Sequence, residues 1–259
     1  MPYVTVEGRA LHYRDVGTGK PLLLLHGFPL TGGSFWPQLD APPPGHRLIV
    51  PDHRGMGQSA PGEGALTMEA IASDALGLLD ALKLPTAIVG GVSMGGYAAM
   101  AMLRLNASRV SGLVLIDTQC TADDEAGQAR REATAKDVEA NGMSGLAQAM
   151  VPKLLSAAAP AELRQRVEAM MRSVDPKGAA AASRGMALRT DSKELLSRFA
   201  GPALVVVGDA DVITPTAKAK EIAGLMSQAR LVELKDAGHL ANLEQPLAFN
   251  AALSEFLAY

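Results

Sequence analysis

The sequence predicts an α/β fold, a mostly parallel sheet of about eight strands flanked by helices, with an all-helical segment inserted into it. Three observations carry this expectation. Short runs at residues 22–25, 48–50, 110–116 and 204–207 are almost wholly apolar, as strands covered on both faces are. Helical stretches alternate with them, the order of a sheet layered between helices. From about Gln119 to Arg198 the alternation stops and only helical material occurs. The 259 residues amount to ~1.7 domains of typical size, which suits one large fold carrying an insertion.

The elements follow in order. Tyr3–Val6, a turn at Glu7-Gly8 and residues 11–16 read as a hairpin at one edge of the sheet. The strand at 22–25 stops at His26-Gly27-Phe28-Pro29. A helix of at most a few residues fits 34–39, before three prolines. The strand at 48–50 ends at Pro51-Asp52 and a glycine-punctuated turn. Met68, Ile71, Ala72, Ala75, Leu78, Leu79 and Leu82 repeat at helical spacing behind Thr67, which can cap the helix. A strand is expected from Ala87 and a helix over Met94–Leu105, then a branched strand over Val110–Ile116. Helices are expected at 123–139, 146–155, 161–171 and 176–188. A strand at 204–207, a helix at 216–226, a strand at 230–234 and one closing helix at 244–257 complete the chain. The expected division is a core from 1–118 and 198–259, with an inserted helical cap at 119–197.

Composition narrows the function classes. Nearly half the residues (48%) are hydrophobic, enough for a large core. The formal charge is -3, and no basic run of five or more occurs, so nucleic acid and anionic membranes are not expected as partners. The single cysteine, Cys120, excludes an intrachain disulfide and a cysteine-based zinc cluster, and it reads as a buried, inert thiol. The N-terminal residues alternate polar and apolar and do not read as a signal peptide. No apolar stretch reaches membrane-spanning length. A cytoplasmic protein is the expectation; oligomeric state is left open.

Chemistry concentrates at Gly91-Val92-Ser93-Met94-Gly95, between an expected strand and an expected helix. That is the context in which G-x-S-x-G forms a strand-to-helix turn exposing the serine hydroxyl. A serine needs a base and an orienting acid. Of five histidines, His239 lies between the last strand and the last helix, at the sheet edge where active groups collect. Asp209 and Asp211 both follow the strand at 204–207; Asp211, further into the loop, is preferred, and Asp209 could make local turn contacts. The order Ser93, Asp211, His239 is that of one serine-triad arrangement among three. The Met94 and Phe28 N–H groups are candidate oxyanion donors. His26 is read as a structural tie between turns. Neither a metal nor a cofactor is expected, since metal-ligand, P-loop and dinucleotide-loop spacings are all missing from the sequence.

These segments together resemble the α/β-hydrolase superfamily over essentially the whole chain. The matching pieces are His26-Gly27-Phe28-Pro29, Asp52-His53-Arg54-Gly55-Met56-Gly57-Gln58-Ser59, Gly91 through Gly96, Gly208-Asp209-Ala210-Asp211 with Pro215, and Gly238-His239. The resemblance implies that Asp211 is the acid, that Phe28 and Met94 supply the oxyanion donors, and that residues 52–59 support the site from outside the triad. Residues 240–246 and Ser93-Met94-Gly95-Gly96 look like 3-oxoadipate enol-lactonases. The run His26 to Leu30 looks more like cofactor-free perhydrolase-type esterases and departs from the lactonase pattern.

The expected activity is hydrolysis of carboxylic esters with small to medium, moderately hydrophobic acyl groups. The alternatives are a lactone or enol-lactone hydrolase, a perhydrolase, and a non-catalytic ligand receptor on the same fold. Pro29, Leu30, Trp36, Val212, Ile213 and Leu240 are candidate pocket residues on the core side, with Met143 and Met150 on the cap side. The cap has no aromatic residue but holds five methionines, Met143, Met150, Met170, Met171 and Met186, which suggests a pliable aliphatic wall.

Overall fold

The computed structural model describes residues 2–258. Eight strands form one sheet: β1 (Tyr3–Val6), β2 (Arg9–Gly17), β3 (Lys20–Leu25), β4 (His46–Pro51), β5 (Ala87–Val92), β6 (Val110–Ile116), β7 (Ala203–Gly208) and β8 (Ala229–Leu234). Their spatial order is β1-β2-β4-β3-β5-β6-β7-β8. The hairpin strand β2 meets β4 antiparallel, and every pairing from β4 through β8 is parallel. All the parallel strands therefore point their carboxyl ends to one edge.

Period-two alternation divides the core in two. Leu23 and Leu25 of β3 join the cluster under α2 (Met68–Ala81) and α3 (Met94–Leu105), whereas Leu22 and Leu24 face the other cluster. That second layer contains α1 (Trp36–Asp40), preceded by a 3-10 turn at Gly32–Phe35. Thr67 caps α2 by accepting from the Ala70 N–H at 3.1 Å.

Five helices lie between β6 and β7: α4 (Glu125–Asn141), α5 (Met143–Leu154), α6 (Ala161–Arg172), α7 (Pro176–Ala187) and α8 (Lys193–Ser197). They split between the two core clusters. Packed α4 and α7 belong with α2 and α3, and the Leu66 N–H donates to the Ala181 carbonyl of α7 at 2.9 Å. Val151 and Leu154 of α5 and Val167 and Met171 of α6 belong to the opposite cluster. There the Arg166 guanidinium lies 3.8 Å from the centre of the Trp36 ring, a cation–π contact.

After α9 (Thr216–Leu225) and β8 the expected closing helix is α11 (Pro246–Leu257), starting two residues later than expected, and a short unanticipated helix, α10 (Ala241–Glu244), precedes it. Gln245 leaves helical geometry at φ -123° and ψ 57°. A proline restricts the residue before it in this way, so Pro246 explains the break. The short helix α8 also went unanticipated. Among the described residues no helix is long and apolar enough to cross a membrane.

Candidate active site

Ser93 stands between β5 and α3 with φ 52° and ψ -112°, a region that non-glycine residues rarely adopt. Such a conformation costs on the order of 1–3 kcal/mol and persists only where its surroundings enforce it. The enforcement is close packing. Gly95 lies so near the end of β3 that a Cβ there would overlap the Leu25 carbonyl. Only glycine lets the first turn of α3 approach the sheet this closely.

Phe28 follows β3 in the facing loop. A Cβ on neighbouring Gly27 would lie 3.5 Å from that of Ser93, so the two loops touch. Phe28 and Met94 are both buried. Among the described residues neither backbone N–H has a hydrogen-bond partner, while the neighbouring Leu30 and Gly96 N–H groups bond to Gly27 and Ser93 carbonyls. Two buried, free donors beside a serine are what an oxyanion requires. Pro29, joined to Phe28 by a cis peptide bond, and Leu30 are buried in the same loop.

His26 and His53 hold that loop from behind. The His53 N–H donates to His26 Nε2 at 3.0 Å, which requires that nitrogen to be unprotonated. His26 Nδ1–H then donates to the Gly27 carbonyl at 3.0 Å, and His53 Nε2–H to the His26 carbonyl at 3.0 Å. The rings stack with centres 3.8 Å apart. Burial drives the His26 pKa down to about 4 and that of His53 well below its ordinary value. Asp52 anchors the next turn, accepting from Gly32 N at 2.8 Å, Arg14 at 2.9 Å, His12 Nδ1 at 2.7 Å and Gln58 N at 3.0 Å. Burial pushes its pKa up, but the positive charge and donors around it outweigh that and hold it low.

On the far side of the sheet edge Asp211 and His239 meet. His239 Nδ1 lies 2.8 Å from Asp211 Oδ2, with His239 only 2% exposed and Asp211 5%. Asp211 Oδ1 accepts from the N–H groups of Ile213 at 2.7 Å and Thr214 at 3.0 Å. Thr214 Oγ1 donates to Asp211 Oδ2 at 2.7 Å and lies 3.2 Å from His239 Nδ1. Burial opposes the charge on Asp211, but the hydrogen bonds from His239 and Thr214 prevail and keep its pKa low. An ionised carboxylate only accepts, so Nδ1 carries a proton, and in the neutral ring Nε2 keeps its lone pair. The other candidate, Asp209, is exposed. Ser93 is half-buried, and among the described residues its Oγ makes no hydrogen bond.

The exit of β6 joins the two sides. Ile116 accepts the Ser93 N–H at 2.9 Å, and Thr118 Oγ1 donates to the Ser93 carbonyl at 2.8 Å. Between them Asp117, fully buried with φ 43°, accepts from Gly208 N at 2.9 Å and Ala241 N at 3.0 Å. One side chain thus pins the strand before Asp211 and the turn after His239. Desolvation raises the Asp117 pKa to about 7, despite the opposing pull of His239. Sequence reasoning missed Asp117, Thr118 and Thr214; the one signal was an acid directly after a strand that ends in four apolar residues.

The candidate pocket residues are dispersed. Leu240 is sealed beside His239, whereas Val212 is exposed and Ile213 lies at the border of exposure. Trp36 sits beneath Arg166. Met143 is sealed in the packing with α4, and Met150 is half-buried between the two core clusters. Burial raises the Cys120 pKa to about 11, so its thiol stays protonated. Among the described residues no group of three or more histidine, cysteine or acidic side chains is arranged to hold a metal.

Comparison with known proteins agrees with this fold. A family model described as the alpha/beta hydrolase fold matches residues 20–246. A thermophilic esterase from Thermogutta terrifontis is 36% identical, with a TM-score of 0.94 over 100% of this chain and 98% of the esterase. The enol-lactonase from Burkholderia xenovorans LB400 is 29% identical, with a TM-score of 0.92 over 100% of both chains. The 3-oxoadipate enol-lactonase 1 of Acinetobacter baylyi is 31% identical over 87% of this chain and 84% of its own. On the sheet order, the family match and these relatives, the chain belongs to the alpha/beta hydrolase fold family.

Proposed function

We propose that the chain is a serine hydrolase that cleaves carboxylic esters of small to medium, moderately hydrophobic acyl groups through an acyl-enzyme. The observation that carries this reading is the buried Asp211–His239 pair, whose Nε2 lone pair is left for a proton from Ser93. Ser93 Oγ attacks the ester carbonyl while His239 Nε2 takes its proton. Asp211 fixes the ring and stabilises the imidazolium. The Phe28 and Met94 N–H groups receive the developing oxyanion. His239 then protonates the leaving alcohol and activates water to release the acyl group. Residues 119–197 act as a cap over a core formed by 1–118 and 198–259, and the cap limits acyl size. The chemistry calls on neither metal nor cofactor.

Lactone hydrolysis is the second reading, favoured by the enol-lactonases among the similar proteins. There the acid and the alcohol leave as one molecule after the second step. A panel of linear esters, lactones and enol-lactones compared by kcat/KM, with peroxide as an alternative acyl acceptor, decides between the readings. Linear esters are expected to dominate. Dominance of enol-lactones replaces the first reading with the second, and faster acyl transfer to peroxide than to water replaces it with a perhydrolase. Covalent labelling by a fluorophosphonate without turnover of any substrate contradicts the enzyme reading and favours a receptor.

A further inference from the structure

Behind His239 a single carboxylate bonds to two segments that are distant in sequence. Glu244 Oε1 accepts from the Gly238 N–H at 2.6 Å, one residue before His239. The same carboxylate accepts from the Ser156 N–H at 3.0 and 3.2 Å, in the segment that leaves α5. Ser156 Oγ donates to the Asp236 carbonyl at 3.3 Å, a second tie to the same loop. The Ser156 carbonyl accepts from the Arg164 guanidinium of α6, whose Nε also donates to the Ala159 carbonyl at 3.2 Å.

Steric and apolar contacts support the same connection. A Cβ on Gly238 would lie 2.7 Å from the Ser156 nitrogen and 3.0 Å from Glu244 Oε1, so the two backbones touch because this residue has no side chain. Val151, Leu154 and Leu155 share a core cluster with Ala237, Leu240 and Leu243 on either side of His239. Both N–H donors are removed from water here, and replacing the carboxylate leaves them unpaired at once.

We infer that Glu244 is a positioning residue, which straps the α5–α6 half of the helical insertion to the loop bearing His239 and so makes the placement of those helices set the angle of the imidazole. The inference depends on the proposed role of His239 as base. Its test therefore includes a measurement independent of turnover, the downfield proton resonance of the hydrogen-bonded His239 Nδ1–H.

The experiment compares Glu244→Ala, Glu244→Gln, Arg164→Gln and the double variant Glu244→Ala/Arg164→Gln in the full chain. Ester kcat and KM, thermal melting and that resonance are measured for each. Glu244→Ala is expected to lower kcat about tenfold or more with KM within about twofold, and to broaden or shift the resonance. Glu244→Gln keeps one acceptor oxygen and restores most of kcat. Arg164→Gln touches neither His239 nor Glu244, yet it moves kcat and the resonance in the same direction by a smaller amount. In the Glu244→Ala background the arginine substitution adds little, because the strap is already cut.

A folded Glu244→Ala with wild-type kcat and an unshifted resonance overturns the inference. So does a loss confined to melting temperature, which makes the carboxylate a brace only. Additive effects in the double variant overturn the coupling. If Glu244→Ala fails to fold, Arg164→Gln decides alone: an unchanged resonance and kcat refute the strap. A shifted resonance in a chain that turns over no ester upholds the strap and refutes the proposed function instead.

Discussion

The serine side and the base side of this site differ in the contacts that dominate each. Around Ser93 the turn is fixed by backbone packed on backbone at Gly95, and the facing loop by neutral, stacked imidazoles. Around His239 the loops are fixed by carboxylates: Asp211, Asp117 and Glu244. Steric contact is indifferent to pH, whereas burial lowers the pKa of His26 and raises that of Asp117, so these two groups respond to pH in opposite senses. The contrast shows how one site can hold its nucleophile turn by shape and the loops of its base by carboxylates.

The largest expected effect is at the steric end. Gly95→Ala places a methyl group in the Leu25 carbonyl and should cost about 3 kcal/mol or more, seen as a fall in urea midpoint together with loss of serine labelling at all pH values. Next is the carboxylate that meets the base. Asp211→Asn leaves the fold intact but favours the wrong imidazole tautomer, and should lower kcat by roughly a factor of 10³–10⁴. Asp209→Asn, at an exposed position, should leave kcat within about twofold. Equal losses at the two positions would erase the distinction between them.

Two smaller effects test the opposed pH senses. Asp117 has a folded pKa of about 7 against an ordinary 3.8, so the folded state holds more protons between those values. Its contribution to stability is full below pH 3.8 and is lost as pH rises through 7. Asp117→Asn removes the titrating charge at the expense of one accepted hydrogen bond, and its melting temperature should be lower at acid pH but fall less than that of the unsubstituted protein across that window. His26 has a folded pKa of about 4 against 6.5, so its contribution is full above 6.5 and is lost as pH falls through 4. His26→Gln can still donate and accept, and should flatten that acid limb while lowering melting temperature modestly at neutral pH. Melting curves of both variants from pH 4 to 8 check the pair; limbs that change together would contradict the contrast.

How much of this was legible in the sequence follows from which contacts are local. The strands of the parallel sheet were readable because both faces are apolar, but their first residues were not. Lys20, His46 and Ala203 pair through backbone groups that side-chain polarity does not report. The start of the last helix at Pro246 is readable in principle from that proline, whereas the four-residue α10 before it is too short to show a helical repeat. Ser93, Asp211 and His239 could be singled out because each follows a strand. Asp117 follows a strand as well, but its role could not be read, since its two donors lie 91 and 124 residues away in sequence. Glu244 offers even less, for its meaning depends on where an inserted helix returns to the core.

The most direct measurement of the central claim is intact-protein mass combined with p-nitrophenyl ester hydrolysis for the unsubstituted chain and for Ser93→Ala, both treated with a fluorophosphonate. One covalent adduct on Ser93 and complete loss of turnover are expected in the unsubstituted chain. Ser93→Ala is expected to fold and to show neither adduct nor turnover. Ester turnover and adduct formation that persist in folded Ser93→Ala would contradict the claim.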